Sequence, residues 1–265
     1  MKPNSTKIPS PKEQANILIH HYAAISRLPH NPQDRIIKRQ LHSVERLDPP
    51  PQYTPAVVRM AILKSGSSKA RGHDGISYAH LKNLGPWALR AVTDLLNYSI
   101  ETASIPTVWK TASIITILKP GKDPTLASSY RPISLLSNVC KVLERLVLGG
   151  ISSDLDLNPT QHGFRAKHST STLLTNLSQR VLEGFNNRKP APRSIVAAID
   201  ISKAFDTVPV PILISKILST NLHPNYKKWL ANFLVGRQAY VNYNGTNSKT
   251  RQMKNGVPQG AVISP

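Results

Sequence analysis

Residues 193–208 read RSIVAAIDISKAFDTV. Within them, 194–199 is an unbroken β-favouring apolar run, short enough to be a strand buried on both faces. Asp200 stands at its end, with Phe205 and Asp206 close behind. A carboxylate where a buried strand meets solvent is half desolvated. It is tolerated only when paired, hydrogen-bonded or bound to a cation. Asp200 is therefore the first candidate functional residue, and the rest of the chain is weighed by what it can offer that carboxylate.

The 34 Lys and Arg against 14 Asp and Glu give a formal net charge of +20, spread through the segments that look folded. Ordinary solubility charge would balance its signs, so this excess points to a polyanion as partner. A membrane surface suits the pattern less well, because no basic amphipathic helix stands out. No apolar run approaches the roughly 18 residues of a membrane span, and the start MKPNSTKIPS lacks a signal-peptide core. The single cysteine, Cys140, lies in an apolar helical pattern and reads as a buried structural thiol in a reducing compartment. His20 and His21 are adjacent and cannot share a helix face, and His73 and His80 lack partners at ligand spacing, so none of the four makes a metal site.

Outward from the opening stretch, residues 1–15 read as loose. Residues 15–28 carry Ile17, Leu18, His21, Tyr22 and Ile25 on one helical face. Prolines in 47–55 mark an extended connector, 56–64 a short helix, and 65–77 a basic loop. Pro86 opens a helix running to about Ser104. Residues 111–118 (TASIITIL) form a strand candidate that runs into the turn 119–124, and 130–134 returns in extended form. This brings Lys119 and Arg131 together at a hairpin. A helix over 138–148 buries Val139, Val142, Leu143, Leu146 and Val147, and Gly149-Gly150 stop it. A helix beginning near Ser169 and Thr170 carries Leu173, Leu174, Leu177, Val181 and Phe185 as its buried stripe. Two more helices follow over 211–219 and 225–234. Residues 238–242 and 249–254 flank Asn244-Gly245, a strong hairpin signal. Residues 255–265 (NGVPQGAVISP) form a glycine-proline loop that enters a helix.

Four motifs now carry a resemblance. Residues 200–206 (DISKAFD) resemble the first palm motif of reverse transcriptases from non-LTR (LINE-type) retrotransposons, in a style close to jockey-like elements. Residues 255–260 (NGVPQG) resemble the second palm motif, 130–136 (YRPISLL) a fingers motif, and 161–165 (QHGFR) with Ser169-Thr170 the next one. They fall in the family's order, over the chain from about residue 65 onward.

The resemblance implies an α+β chain of right-hand polymerase type, helix-rich, divided into an N-terminal helical linker region (1–64), fingers (65–192) and a partial palm (193–265). It implies an RNA-directed DNA polymerase using an RNA template, a DNA primer and dNTPs, with two Mg²⁺ ions about 4 Å apart and Mn²⁺ as a substitute. On this basis Asp200 is the catalytic, metal-binding carboxylate and the Ile201 carbonyl adds a ligand. Phe205 packs under the nucleotide sugar, against an alternative role as an ordinary core aromatic, and Asp206 braces the turn through backbone or basic donors. Lys119 and Arg131 hold the incoming triphosphate. Gln259 and Gly260 let the backbone approach nucleotide and template, and Gly163, Phe164 and Arg165 contact template or nucleotide, or else form a structural turn. A nuclear and cytoplasmic location follows from the family.

One departure stands out. The family's third palm motif carries two adjacent aspartates, and no Asp-Asp dipeptide occurs among these 265 residues. The expectation is a chain truncated before that hairpin, without a thumb, inactive alone and poorly soluble. The alternative reading is a non-catalytic basic nucleic-acid-binding remnant.

Overall fold

A computed structural model of the chain describes residues 10–27, 50–66, 70–155, 157–186 and 193–265. The first residues of the proline-rich connector (47–49), the centre of the basic loop (67–69) and the break at 187–192 lie outside them. The described residues fall into two compact units, one from 1–154 with 203–264 and one from 155–202.

The first unit is built on a mixed sheet. β1 (Thr111–Leu118) and β2 (Tyr130–Leu135) pair antiparallel in the expected hairpin, with Leu118 opposite Tyr130 and Ile117 opposite Arg131. β3 (Arg237–Tyr243) lies parallel to β1. Its other edge takes β4 (Thr246–Asn247) and β5 (Arg251–Met253), both antiparallel. The turn at Asn244-Gly245 is as read from the sequence: both residues adopt positive φ, 49° and 77°, the geometry a two-residue hairpin of this hand requires.

Helices cover the sheet and build the core. α1 (Pro11–Ile25) starts earlier than its apolar pattern indicates. Ser10 and Glu13 form a capping box, and Pro11 occupies the first position, where its missing N–H is harmless. Its buried face is Ala15, Leu18, Ile19, Tyr22 and Ala23, while Ile17, placed inward by the sequence reading, is exposed. α2 (Pro55–Leu63), α3 (Tyr78–Lys82), α4 (Pro86–Thr102) and α5 (Thr107–Lys110) follow. α6 (Asn138–Ile151) buries the expected stripe and Cys140, whose thiol burial pushes up. It runs through Gly149 and Gly150 rather than stopping there. A side chain at 150 would strike the Tyr226 ring, so this glycine serves packing rather than termination.

After α7 (Thr170–Asn186), α8 (Val210–Leu218) and α9 (Pro224–Leu234) close the core of the first unit. Trp229 of α9 is fully buried and donates to Ser99 Oγ at 3.1 Å. Asn225 Nδ2 donates to the Ile100 and Glu101 carbonyls in the last turn of α4. Residues 255–265 contain no helix; they fold as a loop of turns and bends.

The second unit corrects two expectations. α7 (Thr170–Asn186) forms, but none of its residues is buried, and Leu174 and Phe185 are 60% and 65% exposed. Residues 193–200 form no strand, and Ile195 and Ile199 are 91% and 93% exposed. A strand apolar on both faces needs hydrogen-bonding neighbours and a covering layer. Among the described residues of the second unit no strand forms to pair with this stretch, and its apolar side chains are exposed. Asp200 at its end is exposed, not half desolvated.

Candidate functional site

A cleft of about 180 Å³ opens in the first unit between α1, the β1–β2 hairpin and the segments around 206 and 259. Lys119, Arg131 and Lys203 supply positive charge, and Asp206 is the acidic group among them. Each arrives by a local cause. The β1–β2 register sets Arg131 opposite Ile117, and Lys119 N–H donates to the Ser129 carbonyl at 2.9 Å, so the hairpin base presents both cations on one side. Lys119 Nζ also donates to Ser128 O at 2.9 Å. Lys203 has positive φ (55°), and the turn it opens returns the Asp206 N–H to the Lys203 carbonyl at 2.9 Å.

Gln259 closes the cleft. Its Nε2 donates to both Asp206 carboxylate oxygens at 3.1 Å. Burial pushes the Asp206 carboxyl above its ordinary range, while the Gln259 bond, Lys203 and Lys119 pull the other way. His21, also lining the cleft, is pushed down by burial and then by Lys203 and Lys119, which favours its neutral ring.

Three contacts fix the loop that carries Gln259. Ser134 N–H of β2 donates to the Gln259 carbonyl at 2.7 Å. Gly260 has φ +127°, and a Cβ there would lie 2.6 Å from the Ser134 carbonyl oxygen; only glycine lets the loop lie this close to β2. Gly256 likewise has φ +78°, with no room for a Cβ against the Asp206 backbone. Beneath the loop, buried Arg237 donates to the carbonyls of Leu234, Asn255 and Gly256. Burial lowers this guanidinium to about 10. Glu144 of α6 is fully buried and accepts from the N–H groups of Val262 (2.6 Å) and Ile263 (3.2 Å).

Residues 117–265 match the family described as reverse transcriptase (RNA-dependent DNA polymerase). The chain belongs to the reverse transcriptase family. It is 34% identical over 212 residues to the RNA-directed DNA polymerase from mobile element jockey of Drosophila melanogaster, covering 78% of this chain and 23% of that protein. It is 34% identical over 231 residues to the probable RNA-directed DNA polymerase from transposon X-element of the same fly, covering 85% and 25%. To the corresponding protein from transposon BS it is 35% identical over 201 residues, 74% of this chain and 22% of that protein. The chain thus spans about a quarter of the length of the curated relatives it matches.

In this reverse transcriptase chain the structure brings Lys119, Arg131 and Gln259 into one cleft, with Asp206 as their acidic companion. The donors to Asp206 differ from the expected backbone or basic groups: an amide side chain holds it. Gly260 makes its close approach to β2, and Phe205 is half-buried beside Asp206, its carbonyl accepting from Val257 N–H at 2.7 Å. Asp200, Ile201, Gly163, Phe164 and Arg165 belong to the second unit. There Phe164 is 77% exposed with φ 57°, and Arg165 donates to the Asn158 carbonyl at 3.0 Å.

Sequence reasoning missed His21, Tyr22, Lys203, Arg237 and Glu144. Glu144 left a signal: it lies one residue from Leu143 and four from Cys140 on the inward side of an apolar helix, where a charge requires a partner.

Proposed function

We propose that the chain forms the nucleotide-gripping part of an RNA-directed DNA polymerase from a non-LTR retrotransposon. The observation that carries this reading is the convergence of Lys119, Arg131 and Lys203 on one cleft with Gln259 and Asp206. Arg131 offers a planar fork to phosphate oxygens, and the two lysines add point charges. Gln259, tied to Asp206 and to β2, gives the cleft a fixed wall, so the cations meet a triphosphate in one geometry.

Asp200 and the Ile201 carbonyl are the proposed protein ligands to Mg²⁺. When bound, two such ions would activate a primer hydroxyl and stabilise the departing pyrophosphate. Among the described residues no three His, Cys, Asp or Glu side chains converge on a metal position. The role derived for this chain rests on its cations. RNA template and DNA primer are the proposed partners, consistent with the +20 charge, and the nucleus and cytoplasm the proposed location. Among the described residues no helix is long and apolar enough to cross a membrane.

Calorimetric titration of the chain with dATP and Mg²⁺ tests the reading. Arg131→Ala is expected to weaken binding roughly 10- to 100-fold, the effect of losing a charge-assisted bond. Equal affinity of the variant and the parent chain would remove the triphosphate assignment.

A further inference from the structure

Tyr22 of α1 is 5% exposed, and among the described residues its hydroxyl is buried with no hydrogen-bond partner. A buried hydroxyl left unpaired is costly and rare, and calls for an explanation. Tyr22 lines the same cleft as Lys119, Arg131, Lys203 and Asp206. Its hydroxyl lies within reach of the charge on Asp206 and the phenol of Tyr130, both of which also line the cleft.

The position is held from both ends of the helix. Asn16 Oδ1 accepts from Lys249 N–H at 2.9 Å, and His20 Nε2 meets Arg251 Nη2 at 2.6 Å. Past the last turn, the Ser26 carbonyl accepts from Asn255 Nδ2 at 3.0 Å. α1 is thus tied to the β4–β5 segment and to the loop that leads to Gln259.

Among the described residues no acceptor lies within hydrogen-bond distance of the Tyr22 hydroxyl; the Asp206 oxygens accept from Gln259 Nε2 and the Ser128 carbonyl from Lys119. The hydroxyl lacks a partner, and the three cations that line the same cleft select an anion rich in acceptor oxygens.

We propose that Tyr22 is a further nucleotide-binding residue, donating its hydroxyl hydrogen bond to a phosphate oxygen of the nucleoside triphosphate in the cleft. This rests on the nucleotide reading of the cleft given above. Burial, and then Asp206, pushes the phenol upward, so it keeps its proton and remains a donor.

The test compares the parent chain, Tyr22→Phe and Arg131→Ala in titrations with Mg²⁺–dATP and with inorganic tripolyphosphate, alongside thermal melts without ligand. Tyr22→Phe keeps the ring and removes only the unpaired group. Affinity for both probes is expected to fall about tenfold, as for a bond to a charged acceptor, with the melting temperature unchanged or raised. If Arg131→Ala weakens binding and Tyr22→Phe does not, the Tyr22 assignment is overturned while the cleft reading stands. If Tyr22→Phe weakens dATP but not tripolyphosphate, the phosphate contact is overturned. If the parent chain binds neither probe, both readings fall.

Discussion

Gln259 Nε2 donates to both carboxylate oxygens of Asp206, 3.1 Å each, across 53 residues of chain. One amide therefore ties the 255–260 loop to the turn that carries Asp206 and serves both oxygens of a half-buried acid. Removing it leaves the acid desolvated with only the Lys203 and Lys119 charges for compensation. Gln259→Ala is expected to cost about 1–3 kcal/mol of stability, the penalty for stranding a buried polar group. Denaturant melts at pH 7 measure this. The Gln259 bond favours the charged carboxylate, so the Asp206 carboxyl should titrate higher still in the variant, as read by carboxyl NMR.

Gly260 is a stricter constraint than its motif conveys. Its φ of +127° and the 2.6 Å separation of a Cβ from the Ser134 carbonyl leave a side chain nowhere to go without moving β2. Gly260→Ala should destabilise by about 1–3 kcal/mol for the strained conformation alone. It should also break the Ser134–Gln259 backbone bond, so weakened Mg²⁺–dATP binding accompanies the loss. A variant that melts and binds like the parent would show that the loop relaxes freely.

Local features of the fold were legible. The hairpin turn at Asn244-Gly245 and the β1–β2 return that gathers Lys119 and Arg131 depend on residues close in sequence. Where sequence reading failed, the deciding partner was distant. The inward face of α1 was misjudged because Ile17 and Ala15 are sorted by strands more than 200 residues away; Asn16 meets Lys249 across 233 positions. Glu144 finds its donors 118 residues downstream. Periodicity showed that 194–199 is apolar on both faces, but not whether neighbouring strands would be there to cover it. For the same reason Asp200, the most conspicuous carboxylate in the sequence, is exposed, and Asp206 is the acid that lines the cleft.

Glu144 makes the chain's stability depend on pH. Burial raises its carboxyl, while the two backbone bonds, Lys141 and Arg145 offset part of that. With the folded value above the unfolded one, the native state holds a proton that the unfolded chain releases. Its stabilising contribution is therefore present in acid and is lost as pH rises from the ordinary carboxylate range through the raised value. Glu144→Gln, which keeps an acceptor for Val262 and Ile263, should flatten this slope in melts between pH 4 and 8. Glu144→Ala removes the acceptor and leaves a cavity, at about 2–4 kcal/mol. An identical slope in the Gln variant would assign the pH dependence to other groups.

The +20 charge predicts a strongly salt-dependent affinity for RNA and DNA. For six to ten phosphate contacts, binding should weaken by about 10³–10⁵ between 50 and 200 mM salt. Fluorescence anisotropy with a labelled RNA–DNA hybrid measures the slope. An affinity indifferent to salt would mean that the basic residues do not meet the phosphate backbone.

The stretch at 193–208 yields the last prediction. Ile195, Val196 and Ile199 are 91%, 61% and 93% exposed, close together on a segment without regular structure. Contiguous exposed apolar groups of high β-propensity favour association between chains. Breaking the run with charge should suppress this. Ile195→Lys with Ile199→Lys is expected to raise the concentration at which light scattering detects aggregates. The unfolding free energy should change by no more than about 0.5 kcal/mol, as is typical of surface changes. A large loss of stability would instead show that these residues are covered in solution.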